Sequence, residues 1–448
     1  MKLADRFGNA VSTRNPKALE LYDCAVAELN VYRIDPLATI DAALAEDPSF
    51  VMAHCFKAGV LATTSERSEP AMSAAIEAAE RNAGTALERE RMHIAAARAW
   101  MNGDFALSTK LYGDIVAEYP RDLFALQVAH LCDFLLGNAP MLRDRPAQVL
   151  RAWGERETER GVILGMHAFG LEECGRYEQA EVAGKKAIEL NPADAWAAHA
   201  VAHVMEMTGR TRDGIEWLQS TAPGWSEQNF FAYHNWWHLA LYHLESDDYA
   251  SALALYDTRI RPTPSRVAME MVDASALLWR LRLRNVDVGN RWVELSESWE
   301  AFAERGFYAF NDVHALMSFL ATGKERQVRD VIDGLEAAAK RMDTNGMMSR
   351  EVGLPVARAL VAFEQQNYDV ALDELQRVRG FAHRFGGSHA QRDLLQLTAT
   401  EAALRAGRRS TARALITERL AFKPRSDFNR RLFERANQPA SGEEARAA

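Results

Sequence analysis

Cysteine is scarce in this chain of 448 residues: only Cys24, Cys55, Cys132 and Cys174, widely spaced and without a CxxC pair. That excludes a disulfide framework and predicts reduced cysteines in a cytoplasmic core. Long apolar runs are also lacking. None reaches the ~18 residues of a membrane span, so no membrane association is expected. The opening MKLADRFGNAVSTRNP has no apolar stretch of the secretory kind. Positive charge is not in excess. There are 53 Lys and Arg against 62 Asp and Glu, a formal net charge of −9. The strong basic footprint of a nucleic-acid binder is missing, and nucleic acid is not an expected partner. Period-2 apolar alternation is nearly absent, which argues against strands. P-loop, GxGxxG, GxSxG and EF-hand signatures are missing too. Nucleotide-dependent and serine-hydrolase chemistry therefore have no support.

What is present is a repeat. Residues 161–194 read GVILGMHAFGLEECGRYEQAEVAGKKAIELNPAD. Leu164, Ala168 and Leu171 mark one helical face. Gly175 breaks the helix, and Ala180, Ala187 and Pro192 mark a second helix and its stop. This is the tetratricopeptide pattern of two antiparallel helices in about 34 residues. Small residues let the pair approach closely, and proline cannot continue a helix. The same template fits pairs that break at Asn102-Gly103, Asp247-Asp248, Gly323, Asn367 and Gly407. Pro48, Pro120, Pro192 and Pro264 fall at equal intervals, two units apart. The spacing predicts an all-α fold, an α-solenoid of roughly ten helix pairs, strongly curved. It replaces the two or three domains that length alone suggests with one array over 1–436. The stretches 135–160 and 283–308 are the least repeat-like. The tail 437–448 (NQPASGEEARAA) is small and polar and is expected to be disordered.

Histidine is distributed unevenly. Five of the twelve lie between 199 and 243, and five of the ten tryptophans between 196 and 237. His199 and His203 form one HxxxH, His234 and His238 another. Residues four apart share a helix face with Cβ atoms ~5–6 Å apart. Glu206 extends the first stripe. If Ala195 and Tyr233 open successive repeats, both stripes fall on first helices, which line the concave surface side by side at ~8–10 Å. Trp196 and Trp237 would wall such a pocket.

Three readings fit these residues. They are helix-packing side chains with satisfied hydrogen bonds. Alternatively His199, His203, His234 and His238 bind a divalent metal such as Zn or Fe. Or the same set works without metal, with Glu206 or His203 as the acid–base group and a buried Glu206 tuned upward towards working pH. HxxxH is a weaker signal than HExxH, and the reaction, cofactor and enzymatic status stay open.

Other polar groups have ordinary readings. Glu172 and Glu173, late on the preceding first helix, could join the same concavity, but a solvated helix end near Gly175 is the simpler reading. Asp273 lies in an apolar helix and needs a partner. Asp312 suits a helix start. GGSHAQRD (386–393) reads as a capped helix start that could also take an anion. The basic stretch 402–435 suits a solvated face, or contact with an acidic region of a second subunit in a homo-oligomer.

The runs AWAAHAVAHVMEM, YHNWWHLALYHLESDDYASALALYD, FNDVHALM, REVGLPVARAL and GGSHAQRD closely resemble the tetratricopeptide repeat protein 38 family. Its bacterial relatives are grouped with a protein of glycopeptide-antibiotic gene clusters. The resemblance runs collinearly from about residue 17 to 430. It implies a mostly helical repeat protein without an established general biochemical role. The family pattern falls on His199, His203, Glu206, His234, Asn235, Trp237, His238, Asn311, Asp312, His314, Gln391, Arg392 and Asp393. In a curved solenoid these would face one hollow and bind a small molecule. The alternative is an open scaffold that takes a protein or peptide on its concave face.

Overall fold

A computed structural model of the chain describes residues 3–33, 35–302 and 304–438. Twenty-four α-helices follow one another among the described residues, with only two isolated β-bridges and no sheet. Consecutive helices pack as hairpins of the tetratricopeptide kind. No described helix is long and apolar enough to cross a membrane.

The helix breaks have a simple physical basis. Each first helix ends on a residue in the left-handed region, which lets the chain reverse and satisfies the last carbonyls. Gly103, Gly175, Gly323 and Gly407 serve four hairpins at φ of 83°, 72°, 67° and 71°. Asp247 serves a fifth, as the sequence predicts. In the hairpin marked by Asn367 the left-handed residue is Gln366, one position earlier. Behind some of the hairpins an aspartate opens the next helix. Asp122 accepts from the Ala125 N–H and Asp194 from the Ala197 N–H, each at 2.9 Å. Such caps contribute about 1 kcal/mol each.

The array winds back on itself. Tyr308 donates to the Leu135 carbonyl at 2.8 Å, and the Thr344 N–H reaches the Gly103 carbonyl. Asn311 donates to the Ser65 carbonyl at 2.9 Å, and Asn229 to that of Val31. One continuous apolar core runs from Val11 to Ala436. The concave side is therefore closed, and later helices fill much of it.

The basic C-terminal stretch takes part in that closure. Lys423 pairs with Glu206 at 2.7 Å, Arg419 with Asp393 at 2.6 Å and Arg431 with Asp247 at 2.7 Å. Three basic residues of 402–435 thus meet acids of the same chain, while Arg408, Arg425 and Arg430 are exposed as a solvated face requires. Regular helix also extends into the two least repeat-like stretches, at Ala139–Val149 and Arg291–Ala301. Cys55 and Cys132 are buried, but Cys24 is exposed and Cys174 half-buried, so only two of the four are core residues. The last helix ends at Asn437, inside the expected tail; residues 439–448 lie outside the described residues.

One close approach fixes how two neighbouring helices cross. Helix Thr158–Glu173 crosses helix Ala139–Val149 at Gly170. A Cβ there would lie 2.2 Å from the Arg143 nitrogen and the Leu142 carbonyl carbon. Backbone cannot yield as a side chain can, so Gly170→Ala is expected to cost about 3 kcal/mol, the upper end for overpacking. Chemical denaturation checks this.

Candidate metal centre

Four first helices lie side by side: Thr158–Glu173, Ala195–Met207, Ala232–Glu245 and Ala268–Leu283. Their facing stripes converge. The second supplies His199, His203 and Glu206, and the third His234 and His238. The first ends in Glu172 and Glu173, and the fourth carries Asp273. All four imidazoles are at most 4% exposed. Such burial is affordable only with partners, because unpartnered buried polar groups cost free energy.

The rings form one cluster. Ring centroids of His199–His203 and His203–His238 are 4.4 Å apart, and those of His234–His238 4.9 Å. His234 Nε2 lies 3.1 Å from His199 Nε2. One ligand atom from each of the four rings lies within 4.8 Å of those of the others. A tetrahedral ion bound at 2.0–2.1 Å sets its nitrogens roughly 3.3 Å apart, so modest shifts of the side chains would close the cage.

Carboxylates stand behind the rings. Asp273 Oδ2 lies 2.5 Å from His234 Nδ1. Glu172 Oε2 is 3.4 Å from His203 Nδ1, and Glu206 Oε2 is 3.4 Å from His238 Nδ1. Three Nδ1 atoms thus face carboxylates, which leaves the Nε2 edges towards the cluster. Nε2 of His203 and of His238 has no hydrogen-bond partner. Carboxylate-backed imidazoles with their other nitrogens convergent are the usual surroundings of a histidine-bound metal. Trp196 and Trp237 wall the cluster, with Phe169 stacked on His199.

Electrostatics divide the rings. Burial, reinforced by neighbouring rings, drives His199 and His238 well below the usual imidazole range, so both are neutral and able to ligate. Burial opposes charge on His203 as well, but Glu172, Glu173 and Glu206 outweigh it and raise that group. Glu206 departs from its expected upward tuning. Burial pushes it up, but Lys423, His238 and His203 prevail and hold it well below the carboxylate range. It is therefore poorly suited to be an acid near neutral pH.

Glu172 and Glu173 are not a solvated helix end. They are 0% and 6% exposed, because the loop at Gly386–Ser388 and the following helix cover them. The His389 N–H donates to Glu173 Oε1 at 2.7 Å, and Arg392 reaches Oε2 at 3.2 Å. Ser388 caps its own helix through a reciprocal pair with Gln391, so the plain cap, not an anion site, is what the loop forms. Gln391 also donates to Asp273, which gives that acid the partner it requires.

Beyond His389 opens a cavity of about 1110 Å³. His389, Arg392, Asp393, Arg419 and Lys423 line it, with an apolar wall that includes Leu375 and Leu395. Asp312 and His314 do not. Asp312 accepts from the Gly306 N–H and is pushed by burial to about 7. His314 shares its Nδ1 with the Phe310 carbonyl and is pushed by burial down to about 4. Asn235 donates to the Ala195 carbonyl. Trp217, Trp225 and Trp236 pack the backs of the helices, and His243 pairs with Asp248 at a hairpin turn. Sequence reasoning misses His389 and Lys423 as parts of the site, and it weighs Glu172 as a candidate but favours a solvated helix end. Glu172 carries a local signal, its late position on the first helix, five residues before Tyr177 opens the second.

No family model matches the sequence. Solved helical-repeat structures resemble the chain distantly. Human IFIT1, in a dimer with m7Gppp-AAAA, is 12% identical with a TM-score of 0.45, over 93% of this chain and 94% of that one. A chain of the APC/C hetero-tetramer Cut9–Hcn1 is 10% identical with a TM-score of 0.36, over 95% and 97%. The TPR domain of P58(IPK) is 13% identical with a TM-score of 0.20, over 88% and 99%. These likenesses say nothing about ligands.

Proposed function

We propose that this tetratricopeptide-like repeat protein is a metal-binding protein of the tetratricopeptide repeat protein 38 family. Its ion sits on His199, His203, His234 and His238, and its neighbouring cavity admits a small molecule. The observation that carries this reading is the convergence of four buried imidazoles, three of them backed by carboxylates. Nitrogen ligands without sulfur suit Zn and other late divalent ions. Four protein ligands close a tetrahedral shell, so this ion orders the interior and does not by itself offer a free coordination position. His199, His203, His234 and His238 would hold the ion through Nε2, and Nδ1 of His234, His203 and His238 would carry the proton that faces Asp273, Glu172 and Glu206. Lys423 keeps Glu206 ionised for that task. The second reading, a scaffold that takes a protein or peptide on its concave face, is supported by the helical-repeat fold itself; the four-histidine convergence is what favours the metal reading over it.

Cobalt(II) titration of the chelator-treated chain tests the proposal. The visible absorption of a tetrahedral nitrogen site should develop to an end point. A flat spectrum at saturating cobalt would sink it.

A further inference from the structure

His203 is shared by two clusters. One is the four-histidine set. The other joins Glu172, Glu173 and His203, whose ligand atoms also lie within 4.8 Å of one another. Glu172 is fully buried, and neither of its oxygens makes a hydrogen bond. Both nitrogens of His203 are likewise without a hydrogen-bond partner. His389 approaches from the cavity side. Its Nδ1, also unpartnered, is 4.0 Å from Glu172 Oε1, and its Nε2 is 3.7 Å from Glu173 Oε2.

Charge around these residues is uneven. Lys423 answers Glu206 and Arg392 answers Glu173. Among the described residues, no fixed cation within ion-pair distance answers Glu172. A buried carboxylate without a paired charge is costly. Each oxygen of Glu173 keeps a second lone pair after its contacts with His389 and Arg392.

We infer that a second divalent cation binds between Glu172, Glu173, His203 and His389, forming with the four-histidine ion a pair of sites bridged by the His203 ring. This inference rests on the four-histidine reading for its inner member only. The outer site differs in chemistry. Two carboxylates and imidazole suit Zn, Mn or Fe(II). It is also the member nearer the cavity. His389 is one-third exposed there, so a position of this ion remains open to a small molecule with an oxygen donor, such as a carboxylate. Such a ligand is what a metal ion in this setting polarises. Binding at His203 Nδ1 displaces the proton of that nitrogen to solvent, one per outer cation.

Zinc stoichiometry of the full chain, read by native mass spectrometry after chelation and zinc titration, tests this. The wild-type chain is expected to take two ions. Glu172→Gln with Glu173→Gln should take one, at unchanged helical circular dichroism. His389→Ala, at a partly exposed position, should keep two sites but weaken the second by ~10-fold or more, as loss of a peripheral ligand does. Two ions in a folded Gln double variant would overturn the inference, as would a wild-type chain saturating at one. In that last case the four-histidine reading stands; no ion at all would remove both.

Discussion

Replacing His203 and His238 together by Ala is expected to lower affinity for zinc or cobalt by more than 100-fold. Even an outer partner of a metal-bound histidine accounts for ~10–100-fold, and this variant removes two ligands outright. Both rings are fully buried and both lack a partner for Nε2. Their loss removes nothing from the helix ladder, because neither ring caps a helix. The far-ultraviolet dichroism should therefore survive. His243→Ala is the matched control. That histidine belongs to the same sequence cluster but faces Asp248 at a hairpin turn, 3.0 Å away. Its replacement should leave metal binding unchanged. Equal affinity in the double variant and the wild-type chain would contradict the assignment.

The second large effect concerns closure. Arg419 is 4% exposed. It holds Asp393 through Nη1 at 2.6 Å and Asn429 through Nε at 2.9 Å. Arg419→Met leaves Asp393 without its bidentate partner. Breaking a buried pair typically costs ~3–5 kcal/mol, and the lower end applies because the Asp393 side chain is 18% exposed. At ~2.1 cal/mol/K per residue of unfolding entropy, about 3 kcal/mol over this chain lowers Tm by roughly 3 °C. The pH dependence has a definite sign. Burial would raise Asp393, but Arg419 and Lys423 outweigh it and hold it below 3.8 in the folded chain. The stabilisation is thus complete above that unfolded value and is lost as pH falls through the lower folded value. The Tm gap between wild type and Arg419→Met should be full at pH 6 and shrink below about pH 4. A gap that widened on acidification would contradict the pairing.

The parts of this structure legible in the sequence are those written locally. Gly103, Gly175, Gly323 and Gly407 mark hairpins because a left-handed turn follows the last helical residue whatever lies elsewhere. The two HxxxH stripes are legible because four residues make about one helical turn. Closure is not legible, because it depends on groups far apart in the chain. Glu172 reads as a solvated helix end until the segment around His389, more than 200 residues later, covers it. Glu206 reads as a candidate acid until Lys423 arrives and keeps it charged. Asp273 stands between these cases: the sequence shows that it needs a partner, and only packing supplies His234 and Gln391. Asn311, Asp312 and His314 are also among the residues on which the sequence resemblance falls. Asn311 anchors the winding at Ser65, and Asp312 holds the Gly306 loop. Asn311 thus serves closure and Asp312 a local loop, and neither they nor His314 line the cavity beyond His389.

The most direct test of the central claim is X-ray absorption fine structure on the purified His389→Ala chain carrying one equivalent of zinc, because this variant weakens the outer site and leaves every group of the inner site in place. The account predicts one zinc per chain with a first shell of nitrogen at about 2.0–2.1 Å and the outer-shell signature of several imidazoles. A shell with sulfur near 2.3 Å, a shell of oxygen alone, or a folded chain without stoichiometric zinc would contradict it.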